Sequence, residues 1–155
     1  MEAVGGASAL TALVSLGFSL AKTLDAYIWD VQEAKDEVSA LATEIDSTIR
    51  QVQDLDALLK TNRKSKGWNN NGIVLAEKCR EDSLRVLKRL VDLLRKSNAD
   101  LPKDGTIGRR DVNWSLFSHL QWPFFKPKLD VVKQQLERTR IDILLARSLY
   151  NAQLG

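Results

Sequence analysis

An all-α fold, a single helical bundle of four to five helices with one very long second helix, is what this sequence predicts, and three observations predict it. Apolar residues recur at three-, four- and seven-residue steps over long stretches. The chain has only three prolines and eight glycines, which leaves long uninterrupted runs between them. No segment carries the turn-bounded pattern of a strand. At 155 residues, with 44% apolar and 28% charged residues, the chain has the size and composition of one globular domain.

The first element spans residues 1–22. From Ala3 to Ala21 no side chain is charged, a length close to the roughly twenty residues that cross a bilayer. Ser8, Thr11, Ser15 and Ser19 dilute its apolar character, and Glu2 stands where a secretory signal needs a basic residue. Small residues fall at four-residue steps, Gly5 to Ala9 and Gly17 to Ala21, with Leu13 interrupting the row. Such a row lets two helices approach closely, in a membrane or where a buried helix crosses its neighbour.

The second element is the long helix, residues 24–62. Leu24, Val31, Val38, Ile45, Val52 and Leu59 lie seven apart, with Tyr27, Ala34, Leu41 and Leu55 at the companion positions and Thr48 the polar exception. No glycine or proline interrupts the run, so one helix of roughly 55 Å is expected. The loop around Gly67 and the triplet Asn69–Asn71 ends it, with Asn71 the expected cap of a third helix over residues 73–97. That helix has an inward stripe of Ala76, Cys79, Ser83, Val86, Leu87, Leu90 and Leu94 and a basic outer face.

A second loop holds Pro102, Gly105 and Gly108. An aromatic-rich short helix is expected over residues 112–122, and a last helix over 126–152 with Pro127 in its first turn. Leu129, Leu136, Ile143 and Tyr150 lie seven apart, joined by Val132, Thr139 and Ala146. Ile141, Leu145 and Leu149 form a second apolar row, which predicts a helix buried on two sides.

Charge is unevenly distributed. Residues 1–59 hold three basic and ten acidic side chains, and residues 60–155 hold twenty and ten. Either acidic and basic helices pack side by side, or the basic part meets an anionic partner such as lipid headgroups or another subunit. The basic residues are spaced along amphipathic helices without interleaved aromatics, a pattern that argues against nucleic acid.

The residues suggest no enzyme. One cysteine, Cys79, and one histidine, His119, cannot supply a zinc site by themselves, and no phosphate-cradling loop or nucleophile elbow occurs. Cys79 reads as a small core residue in a reducing compartment. The acidic pairs Asp36-Glu37 and Glu81-Asp82 read as solvated helix faces. No catalytic, cofactor-binding or metal-ligating set is expected. The cluster Trp114, Phe117, Trp122, Phe124 and Phe125 remains, either a plug closing one end of the bundle or an exposed patch for a partner.

The stretch from Leu120 to Leu149, with Trp122-Pro123-Phe124 followed by Leu136-Glu137-Arg138, resembles the closing segment of the HeLo-like N-terminal domains of fungal STAND proteins, the NOD-like receptors of fungi. The uncharged opening segment and the long second helix resemble the same family, so the resemblance spans nearly the whole chain. It implies a cytoplasmic, membrane-targeting cell-death effector domain that assembles with itself and relocates to anionic lipid. In that picture Gly5, Gly6, Ala9 and Gly17 form the small face of an inserting helix, and Leu10, Leu13, Leu16, Phe18 and Leu20 its lipid-facing set. A C-terminal regulatory region outside this chain is also implied. The alternative is a soluble helical adaptor that associates with partners while its first helix stays buried.

Overall fold

The computed structural model describes residues 2–31, 34–65, 68–96 and 105–154. Among these residues the fold is an all-α bundle of four helices: α1 (Glu2–Ala26), α2 (Lys35–Ser65), α3 (Asn70–Leu94) and α4 (Trp122–Leu154). Short 3-10 turns at Ile28–Asp30, Arg109–Asp111 and Trp114–Phe117 join them. Successive helices run antiparallel. α1 packs on α2 and α3, and α4 packs on α3 and α2 from the other side.

The expected 24–62 helix is divided differently. Leu24 lies in the last turn of α1, the chain turns through Ile28–Asp30, and α2 begins only at Lys35. Leu24 on α1, Val31 and Ala34 in the connection, and Val38 and Ile45 on α2 are all buried, so the apolar row feeds one core although a turn divides it. The run Tyr27-Ile28-Trp29 is poor in strong helix formers, and Val31 is extended, which allows the reversal without glycine or proline. Partner length supplies the reason: α1 and α3 have 25 residues each and α2 has 31, whereas a helix over 24–62 would overhang both neighbours. Asp36 and Glu37 open α2, where the helix dipole favours carboxylates.

α3 starts earlier than expected. Asn69, rather than Asn71, is its cap, accepting a hydrogen bond from the Gly72 amide at 2.9 Å. Its inward stripe is buried along the full length anticipated. In place of the expected 112–122 helix there is one 3-10 helix, Trp114–Phe117, followed by a turn, and α4 begins at Trp122. Pro123 therefore occupies the first turn and Pro127 lies inside the helix, leaving the Pro123 carbonyl without its usual amide donor.

One face of α4, from Leu129 through Leu136 and Ile143 to Tyr150, is buried as its heptad spacing implies. The second apolar row is not: Ile141 and Leu145 are exposed and Leu149 is half-buried. α4 has neighbours on one side only, and the period of a sequence does not count neighbours.

Acidic α2 is bridged by its basic neighbours. Arg80 of α3 reaches Asp56 at 2.8 Å, Arg147 of α4 lies 3.8 Å from Asp54, Lys126 lies 3.8 Å from Glu37, and Arg140 pairs with Glu44. Much of the charge asymmetry is thus absorbed inside the bundle. At the far end Trp68, in the loop between α2 and α3, donates from its indole N–H to the Ala146 carbonyl at 2.9 Å and meets Tyr150 edge-on.

Candidate functional site

The candidate site is the docking of α1 on the rest of the bundle. Val14, Leu16, Leu20, Ala21 and Leu24 are buried in the core, while Leu10, Leu13 and Phe18 pack half-buried against it. Among the residues singled out in the sequence, Leu16, Gly17 and Leu20 face inward and Leu10, Leu13 and Phe18 lie at the rim. The surroundings of Gly5, Gly6 and Ala9 lie outside the described residues.

Gly17 marks the crossing of α1 over α2. A Cβ on Gly17 would stand 2.1 Å from Ile49 Cδ1 and 3.1 Å from Ile49 Cγ1, far inside van der Waals contact. With the Ile49 side chain placed as it is, glycine fits the crossing without moving Cδ1, and any larger residue must displace it. Ile49 belongs to neither heptad row, and it is fully buried because it seats this crossing. Nearer the N-terminus of α1 the contact with α2 leaves a gap. A cleft of about 420 Å³ opens between them, lined by Leu10, Val14 and Phe18 on one side and Gln53, Asp56 and Lys60 on the other.

A second contact clips α1 from outside. The Ile107 amide donates to Ser19 Oγ at 2.7 Å, and the Ile107 carbonyl accepts from Ser19 Oγ at 2.9 Å and Thr23 Oγ1 at 2.8 Å. Ser19 and Thr23 are one helical turn apart, so their hydroxyls converge on one backbone unit. Gly105 enters the clip at φ +73°, and a Cβ there would lie 2.7 Å from Ser15 Cβ and 2.9 Å from the Ala12 carbonyl. Left-handed backbone pressed against a helix requires glycine. Beyond it, the Arg109 guanidinium lies 4.9 Å from the centre of the Tyr27 ring. Sequence reading counted Ser19 only as a dilution of hydrophobicity and left Thr23 and Ile107 unremarked. The pair of hydroxyls four apart was a signal, but its partner lies 84 to 88 residues away.

The aromatic cluster divides. Phe117 is its hub, with ring centres 6.1 Å from Trp114, 5.8 Å from Trp122 and 5.7 Å from Phe125. Phe117, Trp122 and Phe125 are buried and plug the end of the bundle where α4 begins, with Trp114 at their edge. Phe124, pointing the other way from the same helical turn, stands in solvent.

The site offers limited chemistry. Asp56, the carboxylate in the cleft, is already held by Arg80 at 2.8 Å and Lys60 at 3.0 Å. Cys79 is buried on α3, and burial first, then the nearby Asp142 and Asp82 carboxylates, push its thiol above the ordinary value. His119 lies in the exposed turn after the Trp114–Phe117 3-10 helix. Among the described residues no group of three or more His, Cys, Asp or Glu is placed to hold a metal ion. Among the described residues, too, no helix is long and apolar enough to cross a membrane. In comparison with known proteins, the chain matches no family model, no curated protein and no solved structure.

Proposed function

We propose that this bundle is a membrane-targeting effector domain of the cell-death type, which rests with α1 docked and acts when copies assemble and α1 transfers to a bilayer. One observation carries the reading: the uncharged stretch from Ala3 to Ala21 belongs to a helix held by a glycine crossing and a hydroxyl clip, with no charged side chain in that stretch to oppose transfer. The resemblance of the closing segment to HeLo-like domains supports it. Serine and threonine hydroxyls in α1 would find partners between helices of an oligomer.

Energetics define the condition for release. Withdrawing the buried side chains Val14, Leu16, Leu20 and Leu24 costs on the order of 10 kcal/mol at about 1.5–3 kcal/mol each. That matches the whole stability of a typical domain, about 5–15 kcal/mol, so α1 leaves only when lipid or a second subunit receives it. A second reading, a soluble adaptor with α1 permanently docked, is favoured by the depth of that burial.

The test is dye release from vesicles containing anionic lipid, comparing the intact chain with Thr11→Asp. Thr11 is exposed on α1, so the substitution leaves the core intact while placing a charge in the uncharged stretch, where it opposes transfer to lipid. Release by the intact chain that Thr11→Asp abolishes supports the membrane reading. Folded, vesicle-inert protein in both cases refutes it and leaves the adaptor.

A further inference from the structure

The outer face of α4 carries a second seam. Phe124, Pro127, Val131, Gln134, Arg138, Ile141, Leu145 and Ser148 follow one another at alternating steps of three and four residues, and all eight are exposed. Phe124 is 79% exposed, Leu145 61%, Ile141 58% and Val131 55%. With the adjacent Leu144 these side chains leave on the order of 500 Å² of apolar surface in water, near the upper end for a monomer.

We infer that this face is covered by a second copy of the chain, with the two α4 helices antiparallel about a two-fold axis at the height of residue 136, between Gln134 and Arg138 of the seam. Three features select that occupant. In antiparallel register Val131 lies opposite Ile141, Pro127 opposite Leu145 and Arg138 opposite the amide of Gln134, each contact made twice. A parallel pair would instead set Arg138 against Arg138 at the centre. On one flank Lys128 meets Asp142 of the second copy, again twice, which gives charge complementarity along the seam. Finally, the apolar surface of two copies comes to roughly 1,000 Å², and the polar flanks bring it into the range of about 1,200–2,000 Å² of specific interfaces. Glu137 and Asp142 border the stripe, which disfavours an anionic bilayer as the occupant. The one opposed contact is Glu137 with its own copy at the axis. α1 takes no part, so the dimer stands whether or not the membrane reading holds.

Sedimentation velocity of the full chain over about 1–100 µM tests the inference, a span suited to micromolar association. A dimer is expected. Ile141→Asp weakens it on the order of a hundredfold because the substitution enters the interface twice, and helicity is unchanged because Ile141 faces solvent in the monomer. Lys128→Asp weakens the dimer, and adding Asp142→Lys restores it, a rescue that general destabilisation would not give. Glu137→Cys, beside the axis, forms a disulfide-linked dimer under mild oxidation, whereas the native chain with its buried Cys79 does not. A chain that stays monomeric throughout, or a dimer indifferent to Ile141→Asp, overturns the inference. In the first case the face serves a different partner.

Discussion

The crossing of α1 over α2 can be tested by a double substitution at Gly17 and Ile49. Gly17→Ala gains about 1 kcal/mol of helix propensity, but its new methyl would stand 2.1 Å from Ile49 Cδ1. Overpacking of a filled core costs about 1–3 kcal/mol, so the single variant is destabilised by about 0–2 kcal/mol net. Ile49→Val removes the offending Cδ1 and costs about 0.5–1.5 kcal/mol by itself. In the double variant the clash is gone and only Ile49 Cγ1, at 3.1 Å, must give slightly. The propensity gain then survives, and the pair returns to within about 1 kcal/mol of the parent. The coupling between the sites is therefore about 1–3 kcal/mol, well above the 0.3–0.5 kcal/mol scatter of independent positions. Urea denaturation of the four chains, followed by circular dichroism with a common slope, measures it. Additive losses within that scatter would refute the close crossing, and with it the account of how α1 is seated.

Three further outcomes are expected. Replacing Ser19 by Ala and Thr23 by Val strips the Ile107 backbone of its partners, at about 1–3 kcal/mol per buried group left unsatisfied. Amide exchange should then accelerate in α1 more than in α4, and equal acceleration in both would show that the clip is not local to α1. Trp68→Phe loses the indole bond to Ala146, lowering stability by about 1 kcal/mol or somewhat more while leaving α1 exchange unchanged. Cys79 should be inert to thiol reagents until the bundle opens. Because its folded pKa is raised, its contribution is fully present below the unfolded thiol value of about 8.5 and is lost as pH climbs from there towards the folded value. Titration of the unfolding free energy from pH 7 to 10 should fall more steeply for the native chain than for Cys79→Ala.

How much was legible in advance depends on how local the cause was. The sequence by itself determined the helical class, the buried stripes of α3 and α4, and the acidic and basic faces that now pair across the bundle. Those follow from periodicity and composition, which a chain carries whatever its neighbours are. It also determined the uncharged character of α1 and the row of small residues that would permit a close helix approach. Tertiary structure alone decided where the apolar row is divided, since the row feeds one core whether or not a turn divides it. It alone decided that Gly17 meets Ile49, that the Ile107 backbone receives the Ser19 and Thr23 hydroxyls, and that Trp68 closes the far end. It alone left Ile141 and Leu145 outside. An apolar row says that a face seeks cover, but the number of helices in one chain, and how they surround each other, sets which faces find it.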